Sequence, residues 1–357
     1  MSNIPKSVRE KIGLNMHNKS GHPIKILKDH IYKYFDSLGY NFDKFDNFEP
    51  FVHVENNFDL LRIPKTHPSR SIHDTYYVND NIVLRTHTSA HQNELLRSGY
   101  TNFLVTGDVY RKDEIDSRHY NVFHQTEMVR LLPDDINPEQ ELKKILSGLI
   151  EYLFPENEYR FNEDYFPFTE PSFEVEVKFG DRWLEILGCG VIHREILDRI
   201  NIKQKGIAVG FGIERLAMIL FDIPDIRYFW TNDDRFMSQF KNENIVKFKP
   251  YPKLNPVVKD ISFWIHETEI DKEGKQFYWK YINDFYEWTR EICDNNIADV
   301  SVLDKFYHLK KNKYSITFRF TIESNLDETN PSNLELYANE VMIKMAKFLE
   351  ERNYSVR

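Results

Sequence analysis

At 357 residues the chain is long enough for two or three domains with cores of their own, so it has no need of disulfide staples. Its two cysteines, Cys189 and Cys293, lie far apart, which argues for a reducing compartment and against a thiolate zinc site. A net charge of −9 argues against indiscriminate nucleic-acid binding, and charged residues interrupt every apolar run before the roughly 18 residues that cross a bilayer.

Residues 1–22 read as an N-terminal extension. They mix basic residues with Glu10 and hold no continuous apolar stretch, so they are not a secretory signal, and they are compatible with prior removal of an organelle presequence. Residues 23–38 predict a helix, with Ile24, Leu27, Ile31, Tyr34 and Phe35 spaced by three and four along one buried face. Short aromatic-rich strands separated by polar turns follow as far as residue 246, which predicts a mixed α+β domain.

Residues 103–130, FLVTGDVYRKDEIDSRHYNVFHQTEMVR, read as two strands around a charged loop. Arg111 ends the first strand, where a planar guanidinium can meet an anion held above a sheet. Arg118 and His119 add donors, and Phe123 offers a flat face to a nucleobase. An exposed hairpin with ordinary ion pairs is the bland alternative. In Phe166-Pro167-Phe168 the two rings either fill a core or receive a third ring edge to face. Glu174 and Glu176 share one strand face, and with Glu185 they are either solvated or placed near a metal-nucleotide. Residues 206–220, GIAVGFGIERLAMIL, predict a glycine-lined strand running into a helix. A dinucleotide fingerprint needs another glycine where Arg215 stands, so that reading fails, and Arg215 in a first helical turn suits an anion and nucleobase site instead.

A proline-punctuated linker, 247–256, precedes a differently patterned tail. Strand 257–265, helix 276–293, strands 300–308 and 314–322, a helix opening near Pro331 and a strand near Tyr354 give the order βαββαβ, the split-βαβ or ferredoxin-like arrangement. From residue 247 onward there are 17 basic and 18 acidic residues, so the acidity lies in the first part of the chain. Two basic strings stand out: Lys247, Lys249, Lys253 and Lys259, and then Lys305, Lys310, Lys311 and Lys313.

The strings NFDLLRIPKTHPSR, LRTHTSAHQ, GDVYRKDEIDSRHYNVFHQTE, FPFTEPSFEVEV, WLEILGCGV and GIAVGFGIERLAMILFDIPDIRYFW, in that order, resemble the class II aminoacyl-tRNA synthetases. The match narrows to phenylalanyl-tRNA synthetase of the single-chain mitochondrial kind, and KFKPYPKLNPVVKDISFWI resembles that family's anticodon-binding tail. The resemblance implies an antiparallel-sheet catalytic domain over 23–246 and a ferredoxin-fold anticodon-binding domain over 257–357. It implies ATP as substrate with Mg2+, and L-phenylalanine and tRNA(Phe) as partners. It further implies a monomer, no membrane association, and a mitochondrial matrix location with a cytoplasmic one as the alternative.

Carried over residue by residue, Arg111 holds the α-phosphate as the catalytic group, and Arg118, His119 and Tyr120 lie toward the outer phosphates. Phe123 and Arg215 sandwich adenine, with Val209 nearby, and Glu185 stands close to the nucleotide and a magnesium ion. Phe166 and Phe168 surround the substrate ring above Ala208. His87, Ser89, Gln125, Thr126 and Glu127 surround the amino and carboxylate groups, with Ala90, His91 and Gln92 completing that wall. Relatives usually carry phenylalanine at the position of Val209, which predicts a roomier wall here. A synthetase for phosphoserine and a catalytically silent tRNA-binding relative are the competing readings. The apolar pair Phe166 and Phe168 opposes the first, and the retained arginines oppose the second.

Overall fold

The computed structural model describes residues 2–251, 255–266, 268–270, 277–293, 296–323 and 331–357. Contacts divide the chain into two units. The first comprises Met1–Ile4, Lys11–Arg111 and Val122–Phe248, and the second comprises Pro5–Glu10, Lys112–Asn121 and Lys249–Arg357.

The first unit is built on a seven-stranded sheet. Its strands are β1 (Asp43–Phe45), β5 (Asn102–Tyr110), β6 (Val122–Leu132), β7 (Tyr159–Asp164), β8 (Thr169–Phe179), β9 (Arg182–Ile192) and β10 (Lys205–Gly212), in the order β1-β5-β6-β10-β9-β8-β7. Only β1 with β5 is parallel among these pairs. A smaller sheet, β2 (Phe51–His53), β4 (Ile82–Leu84) and β3 (Tyr77–Asn79), is ordered β2-β4-β3.

Helix Pro23–Ser37 starts on a proline whose missing N–H costs nothing in the first turn, and His22 Nδ1 accepts from the Ile24 N–H. Its predicted stripe, Ile24, Leu27, Ile31, Tyr34 and Phe35, is buried, each full burial contributing about 1.5–3 kcal/mol. Helix Pro138–Leu153 is capped by Asn137 and buries Leu142, Ile145, Leu146, Leu149 and Ile150. Tyr34 joins these two helices, its hydroxyl donating to the Ile145 carbonyl at 2.6 Å.

In the second unit β11 (Val257–Ile265) pairs with β15 (Lys313–Ile322), which pairs with β14 (Ile297–His308). Val356 bridges Phe263 on the other edge of β11, so the tail closes the sheet in the expected split-βαβ order, although as an isolated bridge and not a full strand. Helices Ile282–Cys293 and Pro331–Glu350 cover one face, where Phe263, Phe285, Phe318, Val341 and Met345 are buried together. The expected helix 276–293 is shorter than predicted: Phe277–Trp279 forms β13, paired with β12 (Thr268–Ile270), and the helix begins at Ile282. The Phe-Tyr-Trp run favours a strand, and pairing overrides the helical spacing. Gln276, and residues 252–254 of the expected linker, lie outside the described residues.

Segment Lys112–Asn121 belongs to this second unit. Ile115 bridges Val300, Lys112 pairs with Asp284 at 2.6 Å, and Arg290 donates to the Glu114 carbonyl at 2.5 Å. Among the described residues, no helix is long and apolar enough to cross a membrane.

Candidate active site

Strand alternation decides what the sheet of the first unit presents. Phe123, Gln125 and Glu127 of β6 share one face; Gln125 and Glu127 pair with Gly212 and Gly210 of β10, and Ala208 pairs with Val129 on that same face. The glycines are small because side chains lie across them. A Cβ on Gly210 would stand 2.7 Å from Gln125 Nε2, and one on Gly188 would stand 3.0 Å from the Phe166 ring. Phe166 and Phe168 stack in parallel with centroids 5.7 Å apart, and His87 lies 6.4 Å from Phe168. Ala208 is buried in the cluster against which Phe168 packs.

The segment after β4 supplies the opposite wall. The Thr88 N–H donates to Gln125 Oε1 at 3.2 Å, and the Thr88 hydroxyl donates to Glu127 Oε2 at 3.3 Å. Glu127 is 2% exposed, and burial pushes its carboxyl up to about 7 against the hydrogen bonds from Ser89 and Thr88. Burial, aided by the Arg111 charge, lowers His87 to about 3, so its imidazole is neutral. Among the described residues, Glu127 Oε1 and Gln92 Nε2 are buried without a hydrogen-bond partner. Such groups cost about 1–3 kcal/mol each when unmatched, and together they suit a ligand with an ammonium and a carboxylate.

Arg111 leaves the end of β5. Its Nε donates to the Thr86 carbonyl at 2.7 Å and its guanidinium lies 5.3 Å over the Phe123 ring. Thr86 is itself locked by Asn57, which donates from Nδ2 to the Thr86 hydroxyl at 2.9 Å and accepts the Thr86 N–H at 3.0 Å. Arg215, in the first turn of helix Ile213–Phe221, donates to the Glu185 carbonyl at 3.0 Å and approaches its carboxylate at 3.4 Å. Glu174 is held above the ordinary carboxyl range, first by burial and then by repulsion from Glu185, Asp164 and Glu176. Glu176 is instead engaged by Arg160 and Asn162, each at 2.6 Å.

Residues 10–240 match the family described as tRNA synthetases class II core domain (F). The chain is 47% identical to the chloroplastic/mitochondrial phenylalanine–tRNA ligase of Arabidopsis thaliana, over 92% of this chain and 78% of that one. The probable mitochondrial enzyme of Drosophila melanogaster is 39% identical, covering 89% and 82%, and the mitochondrial enzyme of Saccharomyces cerevisiae is 33% identical, covering 100% and 92%. The chain belongs to the mitochondrial-type phenylalanine–tRNA ligases, a branch of the class II synthetases.

For a synthetase of this family, the sheet of the first unit gathers Arg111, Phe123, Gln125, Glu127, Glu185, Ala208 and Arg215, with His87, Ser89, Gln92, Phe166 and Phe168. Arg118, His119 and Tyr120 lie in segment Lys112–Asn121 of the second unit. There Asp116 accepts from the backbone N–H groups of Arg118 and His119, and its other oxygen meets His119 Nδ1 at 2.8 Å. Burial raises the Asp116 carboxyl, but these bonds outweigh it and hold it at about 2, while Asp116 raises His119.

Four expected wall residues turn away from the site. Thr126 faces the other side of the sheet, where its hydroxyl meets that of Thr106 at 2.8 Å. Val209 alternates to that same side beside Met128 and Cys189, so its small size does not open the pocket. Ala90 packs with Val52 and Val83, and His91 stacks on Phe48 while its Nε2 meets Arg85 at 3.0 Å. Sequence reasoning passed over Asn57, Arg85 and Asp116. Each acts through a partner distant in sequence or through a backbone group, and carries no local signature.

Proposed function

We propose that this ligase joins L-phenylalanine to tRNA(Phe) through a phenylalanyl-adenylate. The observation that carries the reading is the pair of parallel Phe166 and Phe168 rings on the sheet face that also carries the half-buried Gln125 and the buried Glu127. A phenyl ring and an ammonium are recognised together there. An incoming ammonium favours the ionised form of Glu127, whose carboxyl burial otherwise holds near neutrality.

The phenylalanine carboxylate attacks the α-phosphorus of ATP. A new P–O bond forms as the bond to the bridging oxygen breaks, and pyrophosphate leaves with the electron pair. Arg111, held by the Thr86 carbonyl, stabilises the charge that builds on the α-phosphate and transfers no proton. Phe123 and Arg215 clamp the adenine ring from its two sides. Glu185, with Glu174, would hold a magnesium ion, whose charge offsets that of the departing pyrophosphate. A ribose hydroxyl of the tRNA then attacks the carbonyl carbon and releases AMP.

The catalytic part is assigned to 23–246 and the anticodon-binding part to 257–357, joined by 247–256, in a monomer working in the mitochondrial matrix. The names of the relatives support the compartment. The test is exchange of labelled pyrophosphate into ATP with phenylalanine, tyrosine and phosphoserine offered in turn. Exchange with phenylalanine, lost in Arg111→Ala, is the expected result; exchange that prefers another amino acid overturns the substrate assignment.

A further inference from the structure

We infer that the buried pair His124 and Glu214 positions the purine clamp, so that nucleotide binding depends on it and phenylalanine binding does not. The inference rests on the reading of Phe123 and Arg215 as the two sides of that clamp.

Each member of the pair is the sequence neighbour of one clamp residue. Glu214 precedes Arg215 in helix Ile213–Phe221, and His124 follows Phe123 on β6. Alternation turns the His124 side chain to the sheet face opposite Phe123. There one carboxylate takes two hydrogen bonds from one residue: the His124 backbone N–H donates to Oε2 at 2.8 Å, and Nδ1–H donates to Oε1 at 2.6 Å. The two side chains are 1% and 2% exposed. Trp230 stacks on the imidazole at 5.5 Å and His17 lies against it at 5.2 Å, so the ring cannot swing away.

The first turn of the helix is thereby tied at two successive residues. Glu214 holds it to β6, and Arg215 holds it to β9 through the Glu185 carbonyl. Packing alone does not call for such a pair, because apolar side chains of the same size fill a core without the desolvation penalty of a carboxylate. What a two-point hydrogen bond adds is direction. It fixes the register between strand and helix, and with it the separation of the Phe123 ring from the Arg215 guanidinium. Neither His124 nor Glu214 touches substrate in this account; both are positioning residues.

The test is pyrophosphate exchange on the full chain, with the KM for ATP and for phenylalanine measured separately and thermal melting alongside. Glu214→Ala should raise the ATP KM by about tenfold to a hundredfold, the range expected for a clamp displaced by about 1 Å, and leave the phenylalanine KM within about twofold. His124→Asn keeps a side-chain donor near the Nδ1 position and should stay within about threefold of wild type for ATP, whereas His124→Leu should follow Glu214→Ala. If Glu214→Ala fails to fold, Glu214→Gln, which keeps the acceptor for the backbone N–H, should show the same split at smaller amplitude. Both KM values rising together, or an unchanged ATP KM in a folded variant lacking the pair, overturns the inference. Phe123→Ala and Arg215→Ala separate the two layers. If neither raises the ATP KM the clamp reading fails; if both do and the Glu214 variants do not, only the positioning role fails.

Discussion

Gly210→Ala adds one methyl group at the point where the Gln125 amide crosses β10. The new Cβ would stand 2.7 Å from Gln125 Nε2. Normal contact is about 3.5 Å, so the amide must retreat by roughly 0.8 Å. The amide is the free end of a flexible side chain, so it can move without unfolding the sheet, and melting should shift little. Retreat stretches the 3.2 Å bond from the Thr88 N–H, worth about 0.5–1.5 kcal/mol, and misplaces a group that faces the amino acid in the proposed function. An error approaching 1 Å at such a group lowers kcat/KM for phenylalanine by about tenfold to a hundredfold. Two other glycines calibrate the result. A Cβ on Gly212 meets nothing within 4 Å, so Gly212→Ala should leave the phenylalanine KM unchanged. A Cβ on Gly107 would stand 2.1 Å from the buried Arg85 guanidinium, whose ion pair with Asp108 is 2.7 Å long. Gly107→Ala should therefore destabilise the fold by about 3 kcal/mol or more. The assay is steady-state exchange at varied phenylalanine, with melting curves for all three variants. Unchanged kcat/KM in Gly210→Ala, or an equal rise of the phenylalanine KM in Gly212→Ala, would refute the reasoning.

Glu127 gives a pH signature. Its folded carboxyl titrates near 7 against an ordinary 4.5, so its stability contribution is full below about 4.5 and is lost as pH rises through 7. Glu127→Gln should gain roughly 2–3 kcal/mol on wild type between pH 5 and pH 8 in the ligand-free protein, read by denaturant melts, while weakening phenylalanine binding. A gap that does not change with pH contradicts this. Val209→Phe should leave discrimination between phenylalanine and meta-tyrosine unchanged and destabilise by about 1–3 kcal/mol through overpacking; altered discrimination would return Val209 to the pocket. In the second unit Trp264 has Lys311 and Arg357 over its ring, at 5.2 and 4.8 Å, near Phe306 and His308. Trp264→Ala should weaken tRNA binding by about 1–3 kcal/mol in filter binding and leave pyrophosphate exchange intact. Equal tRNA affinity would exclude a role for this face in tRNA binding.

The elements most legible in sequence were those whose pattern is local. The stripe of helix Pro23–Ser37, the glycine-spaced strand running into helix Ile213–Phe221 and the βαββαβ order of the tail all rest on periodicity within one segment. The charged hairpin around Arg111 was equally plain, because alternation brackets its loop. The expected helix 276–293 began too early because the aromatic residues at 277–279 satisfy helical spacing and strand propensity alike, and only pairing with Thr268–Ile270 chooses between them.

By itself, the amino-acid sequence determined the residue types that chemistry needs and the family to which they belong: arginines at strand and helix ends, a Phe-Pro-Phe pair, and glycines where side chains must pass. Tertiary structure decided which of these groups share one face of the sheet. Alternation sends Thr126 and Val209 to the far side of the sheet although their immediate neighbours line the site, since a one-residue step reverses the direction of a strand side chain. Asn57, 29 positions before Thr86, reaches Arg111 only through that residue's backbone, and Glu214, 90 positions after His124, meets it only when helix and sheet pack. Hydrogen bonds of this kind are set by distance in space, and no local pattern in the chain encodes them.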